Sequence, residues 1–226
     1  MIPPNMPPLP PSRWITFVTI AVLGCALDLG SKEWALGSLS QARTGPQPEL
    51  CQTDDEGRLL AMQRLRHGTV TLVPSHLELR YAENCGAAFG LGHALPRTTR
   101  AALFYLAALI AVVVLGRRFL QGKGGPMFAW SVPLIASGAL GNLVDRVRHG
   151  FVVDFVRFYW ADWEYPTFNV ADAAIVVGVA LMLLDEMKRP EPKKQRAKDP
   201  RAEREKAEAA AKDAVADDAA KPQADA

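Results

Sequence analysis

The chain has 226 residues, 49% of them apolar, a formal net charge of +2 and a mean hydropathy of +0.02. So small a charge, with no stripe of basic and aromatic residues, excludes nucleic-acid binding as an organising function. The three cysteines, Cys25, Cys51 and Cys85, come with neither a Cys-x-x-Cys pair nor paired histidines, which argues against a zinc site and a dense disulfide framework. A near-zero mean over so many apolar residues implies very apolar segments joined to very polar ones, as in a membrane protein with a soluble tail.

Residues 1–12 form a short N-terminal segment, expected in the cytoplasm. The first apolar run, "WITFVTIAVLGCALDLGSKEWALG", covers 14–37. At about 1.5 Å rise per residue, a helix of about 20 residues crosses the hydrocarbon core, so this run predicts a membrane span. A cleaved signal peptide is the competing reading, but no small-residue cleavage site follows cleanly. Residues 38–68 are rich in Pro, Gly and charge and predict an irregular exposed loop. In "TVTLVPSHLELRYAENCGAAFGL", Leu77, Leu79 and Tyr81 alternate with polar residues, predicting two strands broken at Pro74. A second span is predicted over 98–116. The third, over 126–145, carries small residues that let helices approach closely in lipid. The fourth covers 169–187. The tail, 190–226, is mostly Ala, Lys, Glu, Asp and Pro and predicts disorder.

Arg13 precedes the first span, Arg117, Arg118 and Lys123 lie between the second and third, and Lys188 and Arg189 close the fourth. The positive-inside rule places all of these in the cytoplasm, with both termini. Segments 38–97 and 146–168 then lie outside, within a four-span unit over 13–189.

Ionisable side chains in a span cost roughly 2.5–3.5 kcal/mol on insertion scales and need partners or water. Asp28 and Lys32 are four apart on one helical face and predict a structural ion pair in preference to direct catalysis. Asp154 sits in the apolar stretch "FVVDFVRF", and Asp172 lies in the first turn of the fourth span, after Asn169. Both have ordinary readings. Asp172 suits a helix start, where the dipole favours negative charge; Asp154 suits a loop carboxylate paired with Arg146, Arg148 or Arg157. If the outer loop folds back onto the fourth span, the two carboxylates meet. One then keeps its proton, and the pair can act as acid and base on a peptide bond. The residues alone leave these alternatives open. No Gly-x-Ser-x-Gly or His-Glu-x-x-His motif offers another hydrolase chemistry, and His67, His76, His93 and His149 are scattered. Asn84, Gly86 and Phe89 in "ENCGAAFG" are equally consistent with a plain turn after a strand. A small ion- or proton-coupled transporter is the alternative class for intramembrane carboxylates, but it predicts titratable groups near mid-membrane and repeated halves, which this sequence lacks.

Four blocks in order resemble the lipoprotein signal peptidase (signal peptidase II) family of bacterial inner-membrane aspartyl proteases. They are "DLGSK" ending the first span, "ENCGAAFG" after the strands, "GNLVDRVRHGFVVDF" after the third span and "FNVADAAI" opening the fourth. The resemblance covers residues 13 to 188. It implies an α-helical membrane protein of four transmembrane helices with a small periplasmic β-cradle and an outer loop. The implied activity is cleavage of diacylglyceryl-modified prolipoproteins just before the lipidated cysteine. The implied catalytic residues are Asp154 and Asp172, with Asn84, Gly86, Asn142, Arg146, Asn169, Asp28, Lys32 and Asp145 binding substrate or supporting the site. It implies no metal and no organic cofactor, a monomer, and diacylated prolipoproteins and membrane lipids as partners. Segment 38–68 is longer than the family's usual first loop, and the tail is extra. Cys51 and Cys85 both fall outside, where a disulfide is possible; free thiols are the expectation, with a Cys51–Cys85 bridge as the alternative.

Overall fold

The computed structural model describes residues 11–54, 58–86 and 97–188. The expectations for Phe89, His93, residues 1–10 and the tail 190–226 lie outside the described residues. Four helices are present: α1 (Pro11–Ser38), α2 (Arg97–Leu120), α3 (Pro126–Arg148) and α4 (Val170–Met187). Their bounds follow the four apolar runs, extended by up to four residues where polar turns continue the helix. Among the described residues, α1 and α3 are long and apolar enough to cross a membrane by length and composition.

Burial on α1 is the reverse of a water-soluble helix. Ile15 and Leu27 are 66% and 67% exposed, while Asp28 and Lys32 are 0% and 1% exposed. Apolar side chains turned outward and charges turned inward are what a hydrocarbon solvent selects, because the charges must find partners within the protein. The predicted Asp28–Lys32 pair is there, with Lys32 Nζ 2.8 Å from Asp28 Oδ2.

The helices α1, α3 and α4 approach closely at glycines. A Cβ on Gly138 would collide with the Ala171 carbonyl of α4 and crowd Ile175. One on Gly178 would meet Ile135 Cγ1 at 2.7 Å and the Ser131 carbonyl at 2.9 Å, and one on Gly141 would strike the Asp28 carboxylate. Gly138 and Gly141 are among the small residues that the third run displays in sequence, and Gly178 is their counterpart on α4, all used for close helix contact. At the opposite end of α4, Asp185 accepts Gly125 N–H at 2.9 Å and Phe128 N–H at 3.3 Å, satisfying donors at the start of α3. Phe119, Phe128 and Val132 form a small core nearby.

The strands lie at the other end. β3 (Val70–Val73) and β4 (Leu77–Asn84) are the two predicted strands, joined through Pro74 and Ser75, the latter at φ 63°. The structure adds two strands that the sequence reading left as outer loop, β5 (Val152–Trp160) and β6 (Trp163–Glu164), completing an antiparallel sheet in the order β3-β4-β5-β6. β5 escaped notice because Val152, Val153, Asp154 and Phe155 are all buried, so its sequence does not alternate. Segment 38–68 is also less irregular than expected. Ser40–Ala42 (β1) pairs antiparallel with Arg64–Arg66 (β2), and Thr53 bridges Leu59.

The expectation of free thiols at Cys51 and Cys85 is corrected: the two are joined by a disulfide, with Cα atoms 5.5 Å apart. The strand pairing of β4 and the burial of Cys51 against Tyr81, Phe151, Val153 and Phe155 bring together residues 34 positions apart, which no spacing rule signals. Accordingly, alkylation without reductant should leave Cys51 and Cys85 unmodified, and a peptide map showing both alkylated would refute the bridge. Gly138→Val should lower the melting temperature sharply, measured by thermal unfolding in detergent, because the added side chain meets α4 backbone.

Candidate active site

Gly150 ends α3 and turns the chain. It adopts φ 81°, a left-handed conformation that glycine tolerates, and its N–H reaches the Arg146 carbonyl at 3.1 Å. β5 then runs back antiparallel to β4, with Ala82 opposite Asp154 and Asn84 opposite Val152. Successive strand side chains face opposite ways. Val153 and Phe155 therefore enter the apolar core with Tyr81, and Asp154 faces away from it, toward the start of α4.

There Asp154 is held by two asparagines. Asn169 Nδ2 donates to Oδ1 at 2.6 Å, and Asn84 Nδ2 donates to Oδ2 at 2.9 Å. Gly86 N–H donates in turn to Asn84 Oδ1 at 3.1 Å, fixing that amide. Of the three arginines expected as alternative partners of Asp154, Arg157 is bound to Glu78 and Glu164 and Arg148 to Glu33, while Arg146 lies within electrostatic reach of both Asp154 and Asp172. Asp154 is only 2% exposed, and burial is the main force on it. Together with the nearby Asp172 charge, burial pushes its carboxyl up to about 8, although the two asparagine donors and Lys32 act in the opposite sense.

Asp172 occupies the third position of α4 in a capping box. Asn169 is the N-cap, its Oδ1 accepting Asp172 N–H at 3.0 Å, while Asp172 Oδ2 accepts Asn169 N–H at 3.2 Å. Asn142 Nδ2 donates to Asp172 Oδ1 at 2.9 Å. Asp172 is half-buried, at a helix N-terminus whose dipole stabilises negative charge. Asn169 thus touches both carboxylates, and its Nδ2 also lies 3.2 Å from Asn142 Oδ1.

Beneath this pair is a buried ionic cluster. Lys32 Nζ is 2.8 Å from Asp28, 3.2 Å from Asp145 and 2.9 Å from Asn142 Oδ1. The carboxylates continue to backbone: Asp28 Oδ1 accepts Ala171 N–H at 2.8 Å, and Asp145 Oδ2 accepts Val153 N–H at 2.9 Å. Asp28, Lys32, Asn142, Asp145, Asn169 and both aspartates are therefore joined through one polar network, with Asn84 and Gly86 at its edge. Arg146 differs. It donates to the Asn142 carbonyl of its own helix at 3.2 Å and lines a separate cavity of about 500 Å³. The other walls are apolar, including Leu109, Val112, Leu140 and Leu143, with Tyr105.

Sequence reasoning missed Gly141 and the backbone of Ala171 and Val153. The small-residue pattern around "SGALGN" carried a signal for the first; backbone donors carry none. Among the described residues no group of three or more His, Cys, Asp or Glu is arranged to hold a metal ion.

The sequence model for signal peptidase (SPase) II matches residues 20–188. The chain is 33% identical over 182 residues to the lipoprotein signal peptidase of Photorhabdus laumondii, covering 80% of this chain and 91% of that protein. It is 39% identical over 127 residues to that of Nitratidesulfovibrio vulgaris, covering 56% and 77%. A bacterial membrane enzyme solved by the in meso method superposes with a TM-score of 0.57 at 24% identity, over 80% of this chain and 92% of the other.

Two outcomes follow from the geometry. Lys32→Met leaves Asp28 and Asp145 buried without their cation, a change that should cost about 3–5 kcal/mol, read from chemical unfolding. Asp172→Asn removes a like charge beside Asp154 and should lower its titration midpoint below about 8, followed by the carboxyl resonance of Asp154.

Proposed function

We infer the mechanism from the premise that the chain belongs to the signal peptidase II family, aspartic endopeptidases that remove signal peptides from prolipoproteins. In this reading Asp154 and Asp172 are the catalytic residues, and cleavage falls just before the lipidated cysteine of a diacylated precursor. The single observation that carries it is the pairing of two carboxylates in unlike environments through one residue, Asn169.

The environments assign the roles. Asp154, buried and held near 8, carries the proton at neutral pH; Asp172, more exposed and at the N-terminus of α4, carries the charge. Asp172 takes a proton from water as the water oxygen bonds to the scissile carbonyl carbon. Asp154 gives its proton to the carbonyl oxygen. On collapse of the tetrahedral centre, Asp172 passes the proton it took from water to the departing amine as the C–N bond breaks. Asp154 recovers a proton from the hydroxyl that becomes the new carbonyl. No step calls for a metal or organic cofactor. The asparagines hold the carboxylates in place, and the Lys32 cluster fixes the three helices and β5 that supply them.

The membrane placement is part of the same proposal. α1, α2, α3 and α4 span the bilayer with both termini in the cytoplasm, and the sheet and the aspartates lie at the outer, periplasmic surface. A diacylated precursor stays in the bilayer, so its scissile bond is presented at that surface. The apolar cavity between α2 and α3, with Arg146 at its wall, suits an acyl-bearing substrate. The transporter alternative gives way to membership of a peptidase family.

Asp154→Asn and Asp172→Asn should each leave the protein in the membrane and abolish the gel shift of a diacylated prolipoprotein; full processing by either variant would defeat the assignment. Because Asp154 must hold a proton, kcat should fall as pH rises through about 8. Asn84→Ala removes a donor that favours the ionised form, so the alkaline limb should move to higher pH while the rate drops. An unmoved limb in the pH–rate profile would remove Asp154 as the acid.

A further inference from the structure

The described residues of segment 38–68 take no part in the polar network of the aspartates, yet they are firmly held. The Cys51–Cys85 disulfide ties them to the residue after β4. Glu83 on β4 accepts Gln63 N–H and Arg64 N–H, each at 2.8 Å, and the Tyr81 hydroxyl at 3.0 Å. Arg64 Nε donates to Ser40 Oγ at 2.7 Å.

This anchoring sets Arg43, Gln47, Gln63 and Arg64 opposite Arg148 and His149, at the end of α3, around a cavity of about 350 Å³. None of the described residues that line it is an Asp or Glu. Arg43 donates to the Met62 carbonyl at 3.2 Å, and Arg64 to Ser40 Oγ and, at 3.2 Å, the Leu36 carbonyl, all neutral acceptors. Arg148 is paired with Glu33 at 2.6 Å, and both side chains are half-exposed. The Glu83 oxygens already serve backbone N–H groups and Tyr81. Three arginines therefore line the cavity, with one carboxylate, Glu33, paired at its edge. In addition, Arg43 Nε and His149 Nε2 are buried with no hydrogen-bond partner.

We propose that this cavity, built by the long outer loop against the end of α3, is a binding site for a phosphate-bearing anion. Guanidinium groups match phosphate oxygens in charge and in their forked geometry, and charge-assisted contacts of this kind are the strong ones. The volume, at the small end of ligand pockets, suits a phosphate or a phospholipid headgroup without its acyl chains. The headgroup source rests on the reading that the end of α3 meets the outer bilayer surface; the anion site itself does not.

The test uses the purified full-length chain. Its melting temperature is followed against inorganic phosphate, with sodium chloride at matched ionic strength as control. Retention of phosphatidylglycerol is compared with phosphatidylcholine by native mass spectrometry from nanodiscs. The expected result is stabilisation by phosphate, with Arg43→Gln raising the phosphate Kd about tenfold. Gln47→Glu, which adds a carboxylate at an exposed position away from the anchors, should do the same without disturbing the fold. Selective retention of phosphatidylglycerol by the unaltered chain but not by these variants, with no response to inorganic phosphate, supports the site and names the headgroup as its source. Equal behaviour of the unaltered chain and both variants, or no response to either probe, overturns the proposal. Asp154→Asn should keep the anion response while losing cleavage, so failure of the peptidase mechanism and failure of the anion site are read apart.

Discussion

Lys32 and its two carboxylates are the constraint on which the rest of the structure depends. A lysine at 1% exposure inside an apolar helix is tolerable only with charge and hydrogen-bond partners of its own. Those partners come from elsewhere in the chain: Asn142 and Asp145 from α3, alongside Asp28 from α1 itself. Asp28 then binds the backbone at the start of α4, and Asp145 the backbone at the start of β5. One buried cation thus fixes the meeting point of three helices and a strand.

The aspartates sit directly on that meeting point. Val153 N–H is held by Asp145, which sets the first turn of β5 and with it the position of Asp154. Ala171 N–H is held by Asp28, one residue before Asp172. Asn142 belongs to both layers, accepting from Lys32 on one atom and donating to Asp172 on the other. The buried ionic cluster and the aspartate pair are therefore joined through a single amide.

Around this centre segment 38–68 has a different status. It is bound to the sheet by a disulfide and a buried glutamate, and it brings arginines to the end of α3 while leaving the aspartates to asparagine partners. The same end of the molecule thus carries two polar regions of unlike character, one acidic and buried, the other basic and open.

Much was legible in the sequence. Apolar run length gave the four helices, because helix rise against bilayer thickness is a local measure. The Asp28–Lys32 pair follows from spacing of four, and the Asp172 helix start from Asn169 three residues earlier. Asp154 drew notice by lying among Val and Phe. Strand β5 was hidden because both faces of its first four residues are buried, and the disulfide because its cysteines meet only when the loop docks on β4. Above all, the sequence could place each aspartate in its own segment but not together. Their juxtaposition needs α1, α3, α4 and β5 to converge, and that is enforced by the cost of leaving Lys32 and its carboxylates unpaired away from water, a cost that exists only once the chain is folded.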